Sequence, residues 1–181
     1  MGTKPSSPSE VVAYFRSLGA SHADPNKIHA DRRPMGDEHM AFLSLLPKIE
    51  HLVLTGTAIS DAAMQTIAAL DRLAVLDVSD TSITDWGASQ LAFLPSLRCL
   101  GIYGTKITDA STATIGKLST LEMLNVSFTQ ITDAGLLNLV QLTNLRSIEL
   151  HHTSITTDRL ARFRSSLPEC LVVSSANPSA H

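Results

Sequence analysis

One phrase recurs along this chain at a fixed step. Residues 56–67 read GTAISDAAMQTI, 80–91 DTSITDWGASQL, 104–115 GTKITDASTATI, 128–139 FTQITDAGLLNL and 152–163 HTSITTDRLARF. The step is 24 residues each time. A period of 20–50 residues marks a chain that stacks one supersecondary unit on the next. A single unit cannot bury its apolar face alone, so the core must run through the stack.

The columns of the repeat say what the unit is. Leu46, Leu70, Leu94, Leu118 and Leu142 open it, and Ile49, Leu73, Leu97, Leu121 and Leu145 follow three residues on. Then come Leu52, Leu76, Leu100, Leu124 and Ile148, with Leu54, Val78, Ile102, Val126 and Leu150 two places later. That alternation is the period of a strand. Past the threonine column (Thr57, Thr81, Thr105, Thr129, Thr153), apolar residues are spaced by three and four, the period of a helix. Each unit is therefore a short strand followed by a helix.

The phrase itself has physical work to do. Ile59, Ile83, Ile107, Ile131 and Ile155 plug the core at the turn. Ser60, Thr84, Thr108, Thr132 and Thr156 stand where each helix begins and can accept a bond from a free N–H of the first turn. Asp61, Asp85, Asp109 and Asp133 follow, at the positive end of the helix dipole; in the last unit the aspartate slips to Asp158. The threonine column is expected to form a hydroxyl ladder that satisfies backbone groups where the chain leaves the strand.

Counting 24 residues back puts Ile28, Met35, Asp37, Met40 and Leu43 on the same columns, so 22–45 is a degenerate first repeat. Clear repeats follow at 46–69, 70–93, 94–117, 118–141 and 142–165. LPECLVV (167–173) reads as a terminal strand one residue out of frame. Residues 9–21 read as a capping helix with Ser9 as its cap and Gly19 as its stop. A leader, 1–8, and a tail, 174–181, are expected to be disordered.

The columns spell L-x-x-L-x-L-x-x-T-x-I-T-D over residues 22–173 and resemble the leucine-rich repeat family, with Thr where Asn usually stands. The Thr-x-Ile-Thr-Asp form is similar to repeats of bacterial proteins. The resemblance implies an α/β fold: a right-handed solenoid with a parallel sheet on the concave face and short helices on the convex face. It also implies a protein partner, since members of the family mostly bind other proteins.

Strand residues between the core columns point out of the sheet. The apolar ones, Val75, Cys99, Tyr103, Met123 and Phe128, are read as one patch suited to a partner protein. Asp77, Asn125, Glu149 and His151 complete the expected contact set. Glu149, His151 and His152 supply too few ligands on a solvated strand for a metal site. Trp86 is placed on the outer, helical face. The chain carries −3 net charge with no basic stripe, which argues against nucleic acid. There is no 18-residue apolar run for a membrane span. Cys99 and Cys170 lack metal spacing, which fits a reduced, cytoplasmic chain. GxSxG, GxxxxGK[ST], HExxH and GxGxxG are all absent, so a non-enzymatic binding module without cofactor, acting as a monomer, is expected. The same columns would also serve an assembly subunit or a secreted bacterial effector.

Overall fold

The structure, a computed structural model, describes residues 4–175. Residues 1–3 of the leader and 176–181 of the tail lie outside the described residues. Among the described residues eight strands form one sheet in sequence order: β1 (His22–Asp24), β2 (Lys27–His29), β3 (His51–Val53), β4 (Val75–Asp77), β5 (Cys99–Gly101), β6 (Met123–Asn125), β7 (Ser147–Glu149) and β8 (Leu171–Val173). From β2 onward all pairs are parallel, and the register is the repeat step itself: Leu52 faces Leu76, Leu76 faces Leu100, and Leu100 faces Leu124.

A parallel pair needs a crossover, and one helix supplies each. These are α2 (Asp37–Met40), α3 (Asp61–Ile67), α4 (Asp85–Ala88), α5 (Asp109–Ile115), α6 (Asp133–Leu139) and α7 (Thr157–Ser166). α2 and α4 run on into 3₁₀ turns, Ala41–Leu45 and Ser89–Phe93. Every apolar column is buried, and together they make one continuous core.

The Thr-x-Ile-Thr-Asp phrase turns out to be the seam between units. From Ile59 to Ile131 the isoleucine carbonyl accepts from the next repeat: Lys106 N–H donates to Ile83 and Gln130 N–H to Ile107, both at 3.0 Å. Beside that bond, each aspartate reaches across to the next helix cap. Thr84 donates its N–H and hydroxyl to Asp61, at 2.7 and 2.6 Å. The pattern repeats from Thr108 to Asp85, Thr132 to Asp109 and Thr156 to Asp133. Ser60 does the same to Asp37 in the degenerate repeat. Each cap hydroxyl also accepts from its own helix, as Thr132 does from Ala134 N–H at 3.2 Å. The aspartates thus complement the helix dipole and also bolt one repeat to the next. Asp158, displaced by one, pairs instead with Arg162 on its own helix at 3.1 Å.

Asp61, Asp85 and Asp109 are each packed against a small residue of the next helix. A Cβ on Gly87 or Gly135 would collide with Asp61 or Asp109. Ser111, in the same column, donates its hydroxyl to Asp85. Burial pushes the Asp85 carboxyl up, but the bonds from Ser111 and Thr108 outweigh it and hold the group below its ordinary value.

The threonine column does satisfy backbone groups, but not as a ladder between repeats. Each hydroxyl donates to the carbonyl three residues before it, from Thr57 to Leu54 at 2.6 Å through Thr153 to Leu150 at 2.9 Å. The hydroxyls of this column are thus used within their own turn. A carboxylate, one carbon longer, spans to the neighbouring unit.

The ends differ from expectation in three places. The first helix, α1, is Pro8–Ser17, and its cap is Ser7, not Ser9. Pro8 takes the first helical position because its φ is preset and its missing N–H would be unpaired there in any case. Gly19 ends the helix as expected, at φ +90°, with Ala20 N–H bonded back to Phe15. Second, β1 pairs antiparallel with β2 and covers its free edge, and Ala23 is buried beneath α1 and β2. The hairpin turns at Pro25-Asn26, where Asp24 accepts from Asn26 N–H at 2.8 Å. Third, β8 is in frame, with Ile148 opposite Val172. Only Leu167 and Cys170 arrive one residue late, because α7 is longer than the crossover helices before it.

Ile131 is fully buried at the centre of the seam. Ile131→Ala should lower stability by about 2–5 kcal/mol through the cavity it leaves. Urea unfolding checks this, and an unchanged midpoint would contradict the column assignment.

Candidate functional site

The open face of the sheet is built from the strand residues that the core does not use. Its first row is His51, Val75, Cys99, Met123 and Ser147; its second is Val53, Asp77, Gly101, Asn125 and Glu149. A third row, Thr55, Ser79, Tyr103, Ser127 and His151, is half closed. Ser79 and Ser127 are buried, and their hydroxyls accept from Tyr103 N–H at 3.2 Å and His151 N–H at 3.0 Å. These serines are seam residues, not surface.

The structure divides the expected apolar patch in two. Val75, Cys99 and Met123 adjoin one another on paired strands, with Met123 53% exposed. Tyr103 and Phe128 lie at the other end of the strands, roughly 13 Å away for four extended residues. The row containing Asp77, Gly101, Asn125 and Glu149 runs between them. Sequence spacing put all five apolar residues on one face, but distance along the strand separates them.

Phe128 is the centre of the second group. Its ring packs edge-on against Tyr103, with centroids 5.0 Å apart, and against His152 at 4.2 Å. It is still 46% exposed. Its backbone is in the left-handed region at φ +56°, as are Arg32, Gly56, Asp80, Gly104 and His152, the other members of its column. The chain turns sharply there while its N–H continues the ladder: Gly104 N–H donates to Ser127 and Phe128 N–H to His151. Glycine suits such a position, and a bulky aromatic is rare in it. The glycines at 56 and 104 were a legible sign of this turn, and the Tyr103–Phe128–His152 contact was not.

The remaining expected contacts are polar. Asp77 accepts from Ser79 N–H at 2.9 Å and leans over Gly101, where a Cβ would lie 2.7 Å from its carboxylate. Asn125 accepts from Ser127 N–H at 3.0 Å and donates to Glu149 at 2.8 Å. Glu149 and His152 are thus engaged separately, one with Asn125 and the other with Phe128. Among the described residues no three His, Cys, Asp or Glu converge as metal ligands. Cys99 is half-buried, and burial, reinforced by Glu122, pushes its thiol up. It stays protonated at neutral pH and packs as a small apolar group. On the helical face Trp86 and Phe93 are 55% and 65% exposed.

A left-handed Phe costs about 1–2 kcal/mol relative to Gly, comparable to what its two ring contacts return. Phe128→Gly should therefore leave the free energy of urea unfolding within about 1 kcal/mol of wild type. A loss above roughly 3 kcal/mol, the range for deleting a core aromatic, would make Phe128 a strut of the fold instead of a surface group.

The comparisons with known proteins agree on architecture. A leucine-rich repeat family model matches residues 117–140, one full turn of the stack. Curated protein sequences contain no match to the chain. Among solved structures, an internalin from Listeria monocytogenes is similar in fold, with a TM-score of 0.53 at 18% identity. The similarity covers 75% of this chain and 50% of that one, so the chain spans half the length of that internalin. The columns, the stacked sheet and the matched repeat are all of one kind: the chain has the leucine-rich repeat fold.

Proposed function

We propose that this chain is a non-enzymatic protein-interaction module that holds a partner protein on the open, concave face of its sheet. The observation that carries this reading is the Tyr103–Phe128–His152 group. Phe128 sits half exposed in a backbone conformation that favours glycine. The backbone cost is offset by contacts with Tyr103 and His152 and not by burial in the core, and local strain of this kind gathers at functional surfaces. Aromatic side chains beside polar groups are the usual anchors of protein interfaces. Val75, Cys99 and Met123 provide a second apolar contact, and Asp77, Asn125, Glu149 and His151 the polar surround. The internalin likeness supports the scaffold only.

A second reading, an assembly subunit, draws on a different surface. Trp86 and Phe93 are large, exposed and on the helical side. An affinity capture from native extract separates the two readings. A partner held by wild type should be lost with the Tyr103→Ala, Phe128→Ala pair and kept with Trp86→Ala. The reverse pattern would move the interface to the helices.

A further inference from the structure

We infer that the partner of the open face presents a basic side chain, which enters a depression above Gly101 and meets the carboxylate of Asp77. The inference rests on the concave-face reading and adds the chemistry of what is bound.

From β3 to β7 the charge on this face is one-sided, the cations Lys27 and Arg32 belonging to the degenerate first repeat. Strand and turn positions 51–56, 75–80, 99–104, 123–128 and 147–152 contain Asp77, Asp80 and Glu149 and no lysine or arginine. None of those three carboxylates lies within ion-pair distance of a cation among the described residues. Elsewhere the protein does pair its charges: Arg98 and Arg146 flank Glu122 at the strand starts, at 2.5 and 3.5 Å. The stretch of the open face from β4 to β7 is therefore negative and unpaired among the described residues.

Its shape selects the ligand further. Gly101 has no side chain, so a depression opens over β5 with Val75 and Asp77 on one wall and Met123 and Asn125 on the other. Apolar atoms at its mouth suit the methylene stem of Lys or Arg, which such side chains bury along apolar surface. Asp77 leans over the floor and would take the cationic head in a charge-assisted hydrogen bond. Among the described residues one of its oxygens is occupied, by Ser79 N–H. Asp80, exposed and leaning over Gly104 in the next turn, extends the negative field toward Tyr103. An acidic or purely apolar segment would leave both carboxylates unpaired beneath it, a penalty that builds specificity.

The test is selection of a random 12-residue peptide library on the immobilised full chain at low salt. Asp77→Asn with Asp80→Asn provides the charge control, because Asn retains the acceptor for Ser79 N–H and tolerates the left-handed turn at 80. Enriched peptides should carry Lys or Arg beside an aliphatic residue. Their binding should fall at least tenfold with the Asn pair and weaken as salt rises. Enriched peptides without a basic residue, or binding unchanged in the Asn pair, would overturn the inference. If such peptides are still lost with Tyr103→Ala, Phe128→Ala, the concave-face reading stands and only the basic chemistry falls. If they survive both variants, both fall. Failure to enrich any peptide would count against the basic ligand, leaving the concave face to be judged by the capture experiment.

Discussion

The structure depends on how one repeat holds the next. The apolar columns supply most of the burial, but apolar contact alone does not fix how two units are aligned. Alignment comes from directional bonds. The strands provide one line of them, and the Thr-x-Ile-Thr-Asp phrase provides a second, where isoleucine carbonyl and aspartate carboxylate both accept from the following unit. Two separated lines of bonds define a fixed relation between neighbouring repeats. A bond to a charged acceptor contributes about 1.5–3 kcal/mol, more than a neutral one. This makes the aspartate, polar and outside the core, as important to the stack as the leucines.

That division of labour leaves the open face free. With the core taken by leucine and isoleucine columns and the seam by Thr, Ser and Asp, positions such as 77, 101, 103 and 128 have no repeated identity. Their column mates differ in charge and size from unit to unit. The rigid frame holds these variable side chains in fixed relation, a preorganised surface of the kind that would lose little entropy on binding. The aromatic group around Phe128 and the carboxylates around Gly101 are the two places where that surface departs most from an inert one.

Much of the fold was legible before any coordinates. Strand, helix, caps and core followed from periodicity, because a side chain's column decides whether it faces the core. What was not legible required knowing how far a side chain reaches and in which direction. Asp109 reads as a dipole-complementing residue, and its bond to Thr132 appears only once the register places the next cap beside it. Ser79 and Ser127 occupy outward positions by alternation, yet they turn in to serve the neighbouring strand. Val75 and Phe128 share a face but not a neighbourhood. The β1 hairpin, by contrast, was signalled by Asp24-Pro25-Asn26 and obscured only because it falls within a degenerate repeat.

The central claim is that the aspartate of one repeat and the cap of the next act as a unit. A double-mutant cycle on Asp109→Ala and Thr132→Ala, measured by urea unfolding, tests it most directly. The account predicts a coupling energy of about 1 kcal/mol or more, since either change alone already breaks the shared bond. Additivity within about 0.5 kcal/mol would contradict it and return these aspartates to the role of helix-dipole partners alone.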